Sequence, residues 1–176
     1  MRALYSLTAL LMVGVVSGSN TTINCPAGWV DASHVGMGCL LVWVERPAQS
    51  YLQALQWCAE GPNLELYPAY GHLLEILTPE QHQYIGEALN MLEDWSSKQF
   101  YTAATDMNSE TKWYWSHSKA VVEKFLWEPG WPNYGPYSFY GTIHRADDPS
   151  SNLWTLRDVP EYWNGGSGYY ALCQVQ

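Results

Sequence analysis

The stretch from Trp113 to Asn133, WYWSHSKAVVEKFLWEPGWPN, limits the folds open to this chain more than any other part of it. Trp113-Tyr114-Trp115 has strand composition. The two prolines and one glycine of Trp127-Glu128-Pro129-Gly130-Trp131-Pro132-Asn133 can continue neither a helix nor a central strand. A strand therefore runs into a rigid aromatic loop. Four of the ten tryptophans fall in this window, and apolar groups in such density are either packed down or meant for a ligand.

Residues 1–18 read as a secretory signal peptide: Arg2 supplies a positive charge, Leu4 to Val16 an apolar run, and Ser17 and Gly18 small residues at the end. The run falls short of the roughly 20 apolar residues a spanning helix needs, and no other segment approaches that length. The expected product is a secreted, extracellular protein without membrane insertion, its residues 19–176 forming one domain. Without Arg2, seven basic side chains face seventeen acidic ones, a net charge of −10. Binding nucleic acid depends on clustered cations, so no nucleic-acid partner is expected. The sequon Asn20-Thr21-Thr22 is a candidate glycosylation site.

Four cysteines in an oxidising compartment allow three disulfide connectivities. Cys25 and Cys39 are close enough in sequence to staple a local hairpin, whereas Cys58 and Cys173 would tie an early element to the C-terminal strand. Pro47 to Glu60 carries Ala48, Leu52, Leu55 and Ala59 at helical spacing, with Gly61-Pro62 as a stop, and predicts a first helix starting at Pro47. Thr78-Pro79-Glu80-Gln81 reads as an N-cap, a first-turn proline and a capping-box glutamine. Behind it, Ile85, Ala88, Leu89 and Leu92 form one stripe of a second helix. Gly71 to Leu77, Phe100 to Thr105, Lys112 to Ser116 and Tyr169 to Val175 have strand composition.

This order of pieces resembles a C-type lectin domain over nearly all of the mature chain. The matching residues are Cys25-Pro26-Ala27-Gly28-Trp29, Ser50 to Cys58, Gly71-His72-Leu73 with Ile76, Phe100 to Asp106 with Glu110, Trp113-Tyr114-Trp115, Trp127 with Gly130, Pro132 and Asn133, and Ala171-Leu172-Cys173-Gln174. The resemblance implies an α+β fold of two helices and two small antiparallel sheets with a long aromatic loop. It also implies pairing of Cys25 with Cys39 and of Cys58 with Cys173, and a cis bond before Pro132. A second internal disulfide of the family, which braces the long loop, has no counterpart. Gly141 to His144 and Asp158 to Glu161 stand where its cysteines would be, so packing of the loop aromatics is expected to hold the loop.

Sugar-binding members of the family coordinate calcium through a Glu-Pro-Asn or Gln-Pro-Asp triplet, a following acidic residue, and a Trp-Asn-Asp triplet. Here the triplets read Trp131-Pro132-Asn133 and Leu156-Arg157-Asp158. Only Asn133 and Asp158 keep ligand chemistry, while Arg157 brings a positive charge, so calcium-independent recognition is expected. Asp106 and Glu110 match an auxiliary calcium position of some relatives, but Tyr134 stands where a further oxygen ligand would be, so a weak or empty site is expected, and the plain reading of both carboxylates is a solvated turn. The ligand face is expected at Trp131, Asn133, Arg157 and Asp158, with Trp131 the most exposed of the tryptophans.

Five histidines show no i, i+4 pair for zinc, and no nucleophile elbow, phosphate loop or free cysteine with a base is present. The neighbouring carboxylates Asp147 and Asp148 do not suit an acid–base pair, and no enzyme is expected. Two functions remain. One is carbohydrate recognition on ring faces drawn from Trp127, Trp131, Tyr134, Tyr137, Phe139, Tyr140, Trp154, Tyr162 and Trp163. The other is protein binding or a structural extracellular role, since interface hot spots use the same residue types.

Overall fold

The computed structural model describes residues 24–61, 70–91, 98–107, 111–133, 137–146, 153–160 and 169–176, with residues 44 and 45 described through their backbone alone. The signal segment, Asn20, Leu92, Glu110, Tyr134, Asp147, Asp148, Tyr162 and Trp163 lie outside the described residues.

Strands β1 (Val30–Asp31) and β2 (Cys39–Ala48) form a hairpin that leads to α1 (Tyr51–Ala59), β3 (His72–Leu73) and α2 (Pro79–Asn90). There follow β4 (Gln99–Thr105), β5 (Tyr114–Trp115), β6 (Ser138–Arg145), β7 (Trp154–Pro160) and β8 (Tyr169–Val175). The architecture is α+β, as the resemblance implied. The strands make one hydrogen-bonded sheet in the order β1-β2-β8-β4-β6-β7, with β3 added to β8 and β5 to β4. Instead of two separate antiparallel sheets, two antiparallel sets join where β4 lies parallel to β8. The junction forms because β8, buried along nearly its whole length, pairs with β2, β3 and β4 at once.

Local chemistry explains both helices. Ser50 caps α1 by accepting from the Gln53 N–H at 3.2 Å, while Gln53 Oε1 accepts from the Gln49 N–H at 2.8 Å. The helix therefore starts at Tyr51, not at Pro47 as its composition suggested. Pro47 instead belongs to β2, where the register with β8 breaks between Trp43 and Ala48 and a missing N–H is tolerated. Helix α2 begins as predicted: Thr78 accepts from the Gln81 N–H at 3.2 Å, with Pro79 in the first turn. The strand expected from Gly71 to Leu77 shortens to His72–Leu73, after which Leu74 bonds singly to Leu172 and Ala103.

Cys25–Cys39 closes the β1–β2 hairpin, and Cys58–Cys173 ties α1 to β8 through two buried sulfurs. Gly38 has a φ of +69°, and a Cβ there would lie 2.1 Å from the Val175 carbonyl oxygen, so only glycine fits beside the end of β8. In the core, the Tyr51 ring stacks on Tyr140 at 3.9 Å and meets Tyr101 edge-on. Trp115 and Trp154 are fully buried, and Trp154 donates its indole N–H to Asn90 Oδ1 at 3.0 Å. Tyr140 and Trp154 are thus core residues and drop out of the set of aromatics open to a ligand.

A second core feature makes stability depend on pH. The imidazole of His72 on β3 stacks flat on His117 at 3.9 Å and donates through Nδ1 to the Leu73 carbonyl at 2.8 Å. The buried carboxylate of Glu75 accepts from the backbone N–H groups of His117 and Ser118 nearby. Burial, aided by His117, pulls the His72 pKa below its ordinary 6.5, against the opposing pull of the Leu73 carbonyl and Glu75. The unfolded chain then binds a proton at this position more readily than the folded one. Stability from His72 is present above about pH 6.5 and lost as pH falls toward the depressed folded value. Urea midpoints should accordingly drop between pH 7.5 and 5, and His72→Asn should flatten that slope. An unchanged slope in the variant would show that His72 does not carry it.

Candidate functional site

The long loop enters the site from a 3-10 turn at Lys124–Leu126, anchored by fully buried Leu126. Trp127 bridges to Leu156 of β7 in parallel, and the Glu128 N–H donates to the Leu156 carbonyl at 3.1 Å. Glu128-Pro129-Gly130-Trp131 then makes a tight turn, closed by Trp131 N–H to Glu128 carbonyl at 2.9 Å. Proline second, and glycine third at a φ of +90°, are the requirements of a type II turn. The Trp131–Pro132 bond is cis. Beyond it, the Asn133 N–H donates to Asp158 Oδ1 at 2.7 Å, fastening the loop to β7 a second time.

A polar cluster sits under this loop. On β6 and β7, Thr142 pairs with Arg157 and His144 with Thr155, so His144 and Arg157 share one face of the sheet. Both side chains meet Glu128. Arg157 donates through Nε to Glu128 Oε2, and His144 Nε2 lies 3.0 Å from the same oxygen. The side chains of His144, Glu128 and Arg157 are only 5, 11 and 20% exposed. The Arg157 guanidinium also lies 5.2 Å from the centre of the Trp131 ring, a cation–π contact. The loop that the family braces with a disulfide is therefore held here by one carboxylate gripping two strands. That adds a polar tie to the aromatic packing expected there, of which the Arg157–Trp131 contact and the packing of Trp127 on Trp113 are part. Nothing in the sequence marks Glu128 and His144 as partners, since neither falls in a motif and the sheet register alone unites them.

The four residues expected to form the ligand face meet at this corner with unequal access. Asn133 is exposed, and Trp131 and Arg157 are half-buried. Asp158 is 3% exposed and positions Asn133 through the backbone. Trp131 is thus not a free-standing platform, because Arg157 covers part of it. On its other flank lies an open concavity of about 580 Å³, whose walls include Trp113, Trp127, Trp131 and Pro132 and whose margins include Lys112 and Lys124. Trp113 and Trp127 meet edge to face, 4.7 Å between centroids. Tyr137, with a φ of +76°, projects freely nearby in sequence, and Phe139 is half-buried against the core.

These residues do not suit a family-type calcium ion, which takes six to eight oxygen ligands. Glu128 is engaged by two nitrogen donors, Arg157 brings a positive charge, and Trp131 contributes no oxygen. At the auxiliary position Asp106 is 5% exposed, not solvated as expected, and its Oδ2 accepts from the Thr111 N–H at 3.1 Å. Among the described residues no three His, Cys, Asp or Glu side chains gather to hold a metal.

No protein-family model matches the chain, and no curated protein matches it in sequence. Solved structures do match. The C-type lectin CEL-I from Cucumaria echinata superposes with a TM-score of 0.66 at 14% identity, covering 86% of this chain and 97% of that one. The C-type lectin domain of murine dendritic cell inhibitory receptor 2, solved in complex with N-glycan, gives 0.64 at 19% identity, covering 87% and 99%. A calcium-independent type II antifreeze protein gives 0.61 at 19% identity, covering 89% and 99%. In fold, the chain is a C-type lectin-like domain.

Proposed function

We propose that this chain is a secreted recognition domain that binds carbohydrate at the loop around Trp131 without the family's calcium arrangement, and that it is not an enzyme. The observation that carries this reading is the replacement of metal-binding chemistry by an Arg157–Trp131 pair locked to Glu128. Relatives use this corner to hold an ion. Here it presents a half-buried indole, the exposed Asn133 and a guanidinium, groups that stack on sugar C–H faces and hydrogen-bond hydroxyls. Asp158 serves by holding Asn133 in place. Two disulfides, and the lack of any long apolar helix among the described residues, accord with extracellular residence and with residues 1–18 acting as a signal peptide. Occupancy of Asn20 by glycan belongs to the same reading.

A glycan array run with calcium and again with chelator tests the reading directly, and equal binding under both conditions is the expected result. In parallel, millimolar calcium should leave the melting temperature unchanged. A ligand at a hundredfold excess over Kd would add about 2.7 kcal/mol, so a rise of several degrees reversed by chelator would overturn the calcium-free site. Trp131→Ala should weaken sugar binding at least about tenfold, or 1.4 kcal/mol. Loss of its partial burial and its arginine contact should cost about 1 kcal/mol of stability. Binding by an extracellular protein with no glycan bound in either arm would move the assignment to protein recognition.

A further inference from the structure

We infer that the concavity beside Trp131 takes an acidic saccharide, a pyranose bearing a carboxylate or a sulfate ester, with Lys112 and Lys124 meeting the anion and the tryptophans the ring. The inference rests on the carbohydrate reading above and adds the chemical class of the sugar.

Charge is the first argument. The chain carries eight Lys and Arg against seventeen Asp and Glu, a net −9. An average surface groove should therefore carry carboxylates and repel anions. This groove does the reverse: among its described lining residues are Lys112 and Lys124 and no acidic side chain. Both lysines are exposed, and neither side chain has an ion-pair partner among the described residues. Glu123, the carboxylate nearest Lys124 along the chain, does not line the groove, and Glu110, the one nearest Lys112, lies outside the described residues. The placement also holds structurally. Lys112 precedes β5, and Lys124 opens the 3-10 turn whose Leu126 is fully buried. Two separate segments thus bring their cations to the same concavity.

The aromatic wall is the second argument. Trp113, Trp127 and Trp131 all line the groove, and the edge-to-face contact of Trp113 and Trp127 sets their rings at 71°. Rings at such an angle offer one face and one edge, which suits a sugar ring on the face and its polar substituents beyond it. Trp113 is 5% exposed and packed into the wall, so Trp127 and Trp131, both half-buried, carry the accessible aromatic surface. The volume of about 580 Å³ falls within the range typical of small-ligand clefts. A neutral sugar would use the tryptophans and leave both lysines idle.

The test is calorimetric titration of the full folded domain with three hexasaccharides. Chitohexaose is neutral, a hyaluronan hexasaccharide carries carboxylates only, and a chondroitin sulfate hexasaccharide carries carboxylates and sulfates. At 50 mM salt at least one acidic probe should bind about tenfold or more tighter than chitohexaose, equivalent to 1.4 kcal/mol. The margin should shrink at 500 mM salt, where exposed charges are screened. Lys112→Gln/Lys124→Gln should abolish the margin, whereas Lys98→Gln, at the opposite end of β4 from β5, should keep it. Melting curves confirm folding of both variants. A preference for the sulfated probe alone assigns the anion as sulfate, and equal preference for both acidic probes assigns it as carboxylate. If neutral and acidic probes bind equally and Trp131→Ala weakens both, the acidic preference is overturned while carbohydrate binding stands. If the preference survives loss of both lysines, the location is overturned. If none of the probes binds, this inference falls, and the array decides the carbohydrate reading separately.

Discussion

Replacing Cys58 and Cys173 together by alanine is expected to remove about 5 kcal/mol of stability, more than loss of the other disulfide. The bridge spans 115 residues. In the chain-entropy treatment a closed loop of that length restrains the unfolded chain by nearly 5 kcal/mol, against about 3 kcal/mol for the 14-residue loop of Cys25–Cys39. Position adds to length. Cys58 lies on the buried side of α1, and Cys173 sits in β8 opposite Leu41 and Leu73, so the bond joins the first helix to the strand that holds the sheet together. Domains of this size keep only about 5 to 15 kcal/mol in total, so the double variant should be marginal at room temperature. Guanidinium unfolding of the wild type, this variant and Cys25→Ala/Cys39→Ala measures the ranking. A smaller loss for the 58–173 pair than for the 25–39 pair would show that loop length does not control stability here.

The second large effect is expected at Glu128. Glu128→Ala should cost about 3 kcal/mol, because it leaves His144 and Arg157 in a mostly buried site without their shared anion. Arg157 keeps some access to water, and for that reason the estimate sits at the low end of the range for a broken buried pair. Glu128→Gln preserves one oxygen acceptor and should cost about half as much. The consequence for binding is separate from that for stability. With Glu128 gone, Arg157 loses the partner that holds it over Trp131, and the turn from Glu128 to Trp131 keeps only its backbone bonds to Leu156 and within itself. The proposed sugar binding should weaken even at temperatures where the variant is fully folded. Urea unfolding and titration at 10 °C measure the two losses independently. A loss below about 0.5 kcal/mol in Glu128→Ala would show that the polar cluster does not replace the missing loop disulfide.

Glu128 also marks the boundary of what could be read before the fold was in view. Local backbone requirements were legible. Thr78-Pro79 specified the start of α2, and Pro129-Gly130 with Pro132 specified a rigid loop that ends strand and helix alike, because each depends on residues within one turn of the chain. Pro47 was misread for the opposite reason. Its helix-start signal is real, but Ala48 pairs with Tyr169 far along the chain, and that pairing extends β2 past the proline. In sequence, the residues of β6 and β7 suggest the segments of a lost disulfide and not paired strands, because neither alternates cleanly. Both are largely buried on both faces, so the two-residue period that betrays a surface strand is absent.

The sequence by itself determined part of what gathers at the loop. The resemblance of its motifs to the family implied that Trp131, Asn133, Arg157 and Asp158 lie together, and its missing carboxylates argued against calcium. Only the tertiary structure decided what each of them does. Arg157 and His144 reach Glu128 through the register of β6 on β7, Asp158 is sealed beneath Asn133, and Lys112 and Lys124 meet across a groove that no local pattern announces. The physical reason is range. Caps and turns are set by bonds within a few residues, whereas the partners of a buried charge are chosen by strand pairing between segments 13 to 29 positions apart, and a single step of register would send each side chain to the opposite face.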